Sequence, residues 1–294
     1  MNKAKLRAIT RARSGLFLSI LCLSSVTSAY DQRPVLSLVI DDLGYSLQKG
    51  QAAIELEGDH TYAIIPNTTY GKKLAHFANE MGKEVILHLP LQSSRVLVAR
   101  EPNALNESMN EDQLEETLQS MLTAIPNIKG INNHMGSRLT EIDYFMRPIM
   151  DSIRSYNPEL YFLDSLTTPN SVARQVAHSS GLNSISRDVF LDNDYNNVES
   201  IRLQFQIWLR RAENYGSAVA IGHPHQATVD FLNDNLPEIS QKFNFMSVSG
   251  LIDLINHPED RYSWWEDMTL LNSDQITSRF PVTASSEIVE ITQP

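Results

Sequence analysis

Only one cysteine, Cys22, occurs in these 294 residues. No intramolecular disulfide can form, so a packed core must stabilise the fold. Basic residues are scarce beside acidic ones, 24 Lys and Arg against 35 Asp and Glu, for a net charge of −11. Such acidity argues against nucleic acid or an anionic lipid surface as the ligand. Long apolar runs are missing too. The stretch Leu16–Leu23 is far short of the ~20 residues that span a bilayer, so no stable membrane insertion is expected. The eight histidines include no pair at the i, i+4 spacing of a helical metal motif, so any metal ligands must come from separate elements.

The N-terminus reads as an address. Lys3, Lys5, Arg7, Arg11 and Arg13 precede the apolar stretch, and Val26-Thr27-Ser28-Ala29 supplies small residues for cleavage. Leu21 is bulky where a lipoprotein signal wants a small residue before Cys22. The expectation is a signal peptide over 1–29 and a soluble periplasmic protein. Cleavage removes five of the 24 basic residues, no acid and the cysteine, leaving 19 against 35, or −16.

The remaining chain alternates apolar runs with amphipathic stretches. Strands are expected at 35–40, 61–65, 84–89, 128–133, 160–163, 182–185, 218–221 and 245–248. Helices are expected at 46–57, 70–81, 111–125, 141–155, 171–180, 198–215, from about 228, and 251–255. Ser108 to Glu111 reads as a capping box for the third helix. Pro148 is expected to kink or delimit one helix and Pro237 to interrupt another. Strand then helix about eight times, with no alignable repeat, predicts one α/β domain over 30–256 with a parallel sheet, closed as a barrel rather than open. Residues 257–294 break the pattern and read as a C-terminal extension with a Ser/Thr-rich tail.

Polar residues fall at the carboxyl ends of the apolar runs. Asp41 and Asp42 end the first, His88 the third, His134 follows the fourth, Asp164 the fifth, Arg187 and Asp188 the sixth, His223 and His225 the seventh. In a barrel these ends ring one mouth, where residues ~180 positions apart converge. Carboxylate with imidazoles suits a zinc-like divalent ion that keeps an open position for water. His60, His76, His178 and His257 fall where nothing converges and read as ordinary. Two adjacent acids face one site only if the backbone turns there, and Leu43-Gly44 is the expected turn.

Seven motifs in order carry a family resemblance: VIDDLG (39–44), LHLP (87–90), GINNHMGS (130–137), FLDSLTT (162–168), SVA (171–173), RDVFLDN (187–193) and AIGHPH (220–225). Over Pro34 to Leu254 the chain resembles the divergent polysaccharide deacetylases, a branch of the carbohydrate esterases. The resemblance implies a distorted (β/α) barrel of seven to eight units and metal-dependent removal of N- or O-acetyl groups from a polysaccharide such as peptidoglycan. On it, Asp42, His88 and His134 are assigned as ligands of a divalent ion, Zn2+ foremost, and Asp41 as general base. His223 is assigned as general acid, with His225 as runner-up. Asp164 either fixes a histidine tautomer or is a fourth ligand; Arg187 orients Asp41 or contacts substrate. Asn132 and Asn133 read as loop-shaping residues. The pattern departs at Leu91-Gln92, where relatives carry an acid. That departure keeps open an alternative, a non-catalytic periplasmic carbohydrate-binding protein assisting cell-wall enzymes.

Overall fold

In the computed structural model, residues 33–94 and 104–257 are described. The expected signal segment, and the expected extension apart from His257, lie outside them. Strand β1 (Val35–Leu43) carries the first apolar run. Its side chains alternate, as a pleated strand requires. Leu36, Leu38 and Ile40 enter an outer core between sheet and helices, while Val35 and Val39 enter an inner one. Ser37, between those two, is buried and donates to the Met246 carbonyl at 2.7 Å.

Eight further strands follow: β2 (Thr61–Ile64), β3 (Glu84–Leu91), β4 (Gly130–Met135), β5 (Tyr161–Asp164), β6 (Asn183–Ser186), β7 (Val189–Phe190), β8 (Ser217–Gly222) and β9 (Asn244–Phe245). All pairings are parallel, in the order β6-β5-β4-β3-β2-β1-β8-β7. β8 runs along one edge of β1 from Val35↔Ser217 to Ile40↔Gly222. β2 takes the upper part of the other edge, and β9 the lower part, at Val35 and Leu36.

The distorted α/β barrel is present, but it is curled rather than closed by a continuous ring of ladders. Among the described residues no ladder joins β6 to β7. The chain crosses that seam covalently: the Arg187 N–H donates to the Asp164 carbonyl on one side, and the Asp188 N–H to the Val219 carbonyl on the other. β7 and β9 have two residues each, too few to show a period.

The inner core (Val35, Val39, Ala63, Ile86, Tyr161, Leu163, Val219 and Ile221) is plugged from below by Val248, Leu251 and Ile252 of α8 (Val248–Asn256). The other helices are α1 (Leu47–Ile54), α2 (Gly71–Glu80), α3 (Glu111–Leu122), α4 (Asp143–Tyr156), α5 (Ala173–Ser179), α6 (Val198–Tyr215) and α7 (Gln226–Ile239). The capping box of α3 is formed by Asn110 with Gln113, not from Ser108, whose hydroxyl bonds Asn106. Pro148 and Pro237 lie inside α4 and α7 rather than ending them. The residues four positions before them, Tyr144 and Asn233, are exposed, so water can bond the carbonyl that each proline leaves without a donor. On α6, Trp208 is fully buried and donates Nε1–H to the Ala218 carbonyl at 3.0 Å, tying the helix to β8.

Candidate metal and catalytic site

Strand parity decides which polar residues reach the mouth. On β1 the inner series 35, 37, 39 continues to Asp41. Ile86 on β3 is followed by His88, and Gly130, packed against the Tyr161 ring, by Asn132 and His134. Likewise Tyr161 and Leu163 lead to Ser165, and Val219 and Ile221 to His223.

Asp42 breaks the series. Its parity would send it toward the helices, but the β1–β2 register slips between Ile40 and Leu43 and Asp42 takes φ +60°. This is a bulge with a left-handed residue, tolerated by aspartate better than by most side chains. The turn that brings both acids to the mouth is thus at Asp42 itself, one position before the expected Leu43-Gly44. Gly44, at φ +133°, serves a different need: a Cβ there would lie 2.1 Å from Thr68 Oγ1.

Three ligand atoms meet at the mouth. Asp42 Oδ1 lies 3.1 Å from His88 Nε2 and 2.9 Å from His134 Nδ1, and the two nitrogens are 3.2 Å apart. Ligands on bonds of ~2.0–2.1 Å sit about 3.3 Å apart in a tetrahedral shell and about 3.0 Å apart in an octahedral one. The triangle matches one face of either shell, so the residues present fit a divalent ion. Asp42 is part-exposed and His88 is buried, which leaves the open position toward solvent.

Electrostatics favours positive charge in the triangle. Burial pushes the Asp42 carboxyl up, but hydrogen bonds from His134 and His88, with the charges of His88 and His223, outweigh it and hold it well below the usual range. Burial pushes His88 down, and the charge of Asp41 with the bond and charge of Asp42 more than reverse this. Asp41, 2 % exposed, is raised by burial against the charges of His88 and His223. A carboxylate held above its ordinary pKa is a better proton acceptor. Asp41 Oδ2 is 3.7 Å from His88 Nε2, and Asp41 Oδ1 accepts from Asn132 Nδ2 at 2.8 Å.

Across the mouth, His223 Nε2 is 3.9 Å from Asp42 Oδ2, and its Nδ1 is 2.9 Å from Asp192 Oδ1. The other Asp192 oxygen accepts from the His223 backbone N–H and from Thr228 Oγ1, both at 2.8 Å. Burial pushes His223 down, but the bond and charge of Asp192, with Asp42 and Asp41, raise it to about 9. Burial lowers His225, whose ring stacks on Tyr195 at 4.0 Å. Of the two, His223 is the one built to carry a proton. Asp192, His223 and His225 also come close enough to form a ligand cluster, but Asp192 already serves three donors.

Asp164 and Arg187 do other work. Asp164 shares parity with outer-core Phe162; it accepts from the Leu166 N–H at 2.9 Å, Ser171 Oγ at 2.7 Å and the Arg174 N–H at 3.4 Å, fastening the entry to α5. The histidine-orienting carboxylate is Asp192 instead. It lies in plain view in the RDVFLDN motif but follows a strand too short to flag it. Arg187 donates to the Ser165 carbonyl at 2.8 Å and the Leu166 carbonyl at 2.9 Å, bracing the left-handed turn at Leu166 (φ +48°). Among the described residues the hydrogen bond to Asp41 comes from Asn132. Asn133 shapes the loop as expected, accepting from the Ser165 N–H and donating to the Met135 carbonyl. At the Leu91-Gln92 departure, Leu91 is a core residue and the Gln92 amide bonds Glu107 on both sides.

A cleft of about 200 Å³ opens beside Asp42 and His223, lined also by Tyr45, Ser46, Lys49 and His225. No helix among the described residues is long and apolar enough to cross a membrane.

Known proteins share this frame. An uncharacterized protein of Escherichia coli (strain K12), YibQ, is 35% identical over 239 residues, 81% of this chain and 72% of that one. An uncharacterized protein of Haemophilus influenzae is 31% identical over 216 residues, 74% of this chain and 76% of that one. In fold, the chain resembles the crystal structure of an uncharacterized protein from Agrobacterium tumefaciens C58, at a TM-score of 0.70 and 20% identity, over 76% of this chain and 91% of that one. Residues 38–252, which hold both acids, the triangle and the His223–Asp192 pair, match the model of the divergent polysaccharide deacetylases, and this chain belongs to that family.

Proposed function

We propose that the protein is an exported, metal-dependent deacetylase that hydrolyses acetyl amide or ester groups of a polysaccharide, peptidoglycan being the foremost candidate, in the periplasm. One observation carries the reading: the Asp42–His88–His134 triangle, a buried carboxylate and an Asp-bonded imidazole share one mouth with an open cleft. Asp42, His88 and His134 would hold a divalent ion, which would supply Lewis acidity toward the acetyl carbonyl and acidify a water. Asp41 is placed to accept the proton of a water that attacks the acetyl carbonyl. His223 holds a proton on Nε2, facing the same space, and delivers it to the departing amine or alcohol, while Asp192 keeps Nδ1 engaged. The N-terminal basic–apolar–small pattern supports export.

Acetate release is the direct test, assayed over acetylated glycans and peptidoglycan fragments with purified protein of known metal content. Release that disappears on chelation and returns with Zn2+ is the expected result. Metal-replete protein that releases acetate from none of them, yet binds a glycan, would support the carbohydrate-binding alternative instead. Export is read separately, from a mature N-terminus near Tyr30 in the periplasmic fraction.

A further inference from the structure

Asn132 is fully buried on β4, outside the ligand triangle and beneath it. Its side chain touches both halves of the machinery. Oδ1 lies 2.7 Å from His88 Nδ1, and Nδ2 lies 2.8 Å from Asp41 Oδ1 and 3.3 Å from Ser165 Oγ. We infer that Asn132 is a positioning residue that fixes which nitrogen of His88 faces the metal triangle and holds Asp41 beside it.

The argument runs through donors and acceptors. An ionised carboxylate only accepts, so the Asn132 group facing Asp41 must be the NH2. The amide oxygen is thereby turned to His88 Nδ1, and an acceptor there demands a proton on that nitrogen. His88 thus keeps its proton on Nδ1, and the proton that Nε2 gives to Asp42 in the metal-free site is the one a metal would displace, freeing the Nε2 lone pair between Asp42 and His134. That is the tautomer a ligand needs, and an outer partner of this kind typically supports metal affinity by ~10–100-fold. Parity is the structural reason that one residue serves both groups. Asn132 faces inward and is in register with His88 on the neighbouring strand.

Two substitutions separate this role from packing. In Asn132→Asp, a carboxylate oxygen still accepts from His88 Nδ1, while the other oxygen meets Asp41, where two buried carboxyls stay together only by sharing a proton. In Asn132→Leu both contacts are lost. The probe is Co2+ added to metal-free protein, followed by its visible absorption in competition with a chelator. Asn132→Asp is expected to retain affinity close to the parent, and Asn132→Leu to lose ~10–100-fold. Equal affinity in Asn132→Leu and parent, or equal losses in both variants, would overturn the inference. A residue that merely fills space would lower the melting temperature without that split. Should Asn132→Leu fail to fold, nitrogen NMR of the Zn2+-loaded parent decides. A proton on His88 Nδ1 is expected, and one on Nε2 overturns the assignment. None of these readouts uses a substrate, so their failure is distinct from failure of the deacetylase reading.

Discussion

Asp192→Asn is the sharpest perturbation of the proposed acid. In the parent, one Asp192 oxygen takes the His223 Nδ1 proton, and the other takes the His223 N–H and the Thr228 hydroxyl. An asparagine has a single oxygen. Two donors claim it on one side, which turns the NH2 toward His223 Nδ1. A donor now faces that nitrogen, so the imidazole must leave it bare and stay neutral. The parent pKa of about 9 against an ordinary 6.5 means that the site favours the imidazolium by roughly 3.4 kcal/mol, at 1.36 kcal/mol per unit. Because the folded value is raised, that stabilisation is complete below pH 6.5 and is lost as pH rises through about 9. In the Asp192→Asn variant the bond and charge are both gone, and burial acts unopposed by its largest counterweight, so His223 should titrate below 6.5. Proton NMR of the chelated protein reads this from the ring Cε1–H. Acetate release should fall by ~10²–10⁴-fold, the usual worth of a general acid, with metal content unchanged. A His223 that still titrates above pH 8 in the variant, or turnover within a few-fold of the parent, would refute the reasoning.

Three other outcomes are expected. Asp42→Asn and His134→Ala should each lower metal per chain by elemental analysis, whereas Asp41→Asn should keep the metal and lose ~10²–10⁴-fold in turnover; the reverse pattern would exchange the roles of the two acids. His60 is fully buried and pushed down to about 3 by burial, so its contribution to stability is complete above pH 6.5 and declines as pH falls toward 3. Urea denaturation of the parent should therefore lose about 1.4 kcal/mol more per pH unit between pH 6 and 4 than His60→Gln, at one proton taken up on unfolding, and parallel slopes would contradict this. Trp208→Ala should destabilise by ~3–5 kcal/mol, because it empties a fully buried site and removes the bond to the Ala218 carbonyl; a loss below ~1 kcal/mol would show that α6 repacks.

Much of the site is legible in the sequence because apolar runs announce strands, and polar residues at their ends announce a mouth. Asp41, His88, His134 and His223 are found this way. What strand-end position alone does not carry is parity. Asp164 and Ser165 are equally polar and adjacent, yet only the second faces the barrel, since inner Leu163 is two residues before it. Counting alternate residues back to an inner-core side chain would admit Asn132 and Ser165 and exclude Asp164. Asp42 defeats parity as well, because a bulge changes the count and a left-handed aspartate leaves little trace in composition. Asp192 escapes for a third reason, since two residues of β7 are too short a strand to mark an end. The distorted barrel departs from full closure at the same place, where the chain itself spans the seam that hydrogen bonds do not.

The pairing of β1 with β8 has a kinetic consequence. Each of β1 to β5 pairs with its successor in sequence, so these contacts form across short stretches of chain. Val35↔Ser217 instead joins residues 217 − 35 = 182 positions apart, and closing so long a loop carries a large entropic cost before any contact repays it. The metal triangle and Asp41 are complete within the first 134 residues, whereas Asp192 and His223 arrive only with β7 and β8. During synthesis from the N-terminus, the half of the site proposed to bind the ion therefore emerges first, and the proposed proton donor joins it when β8 docks on β1.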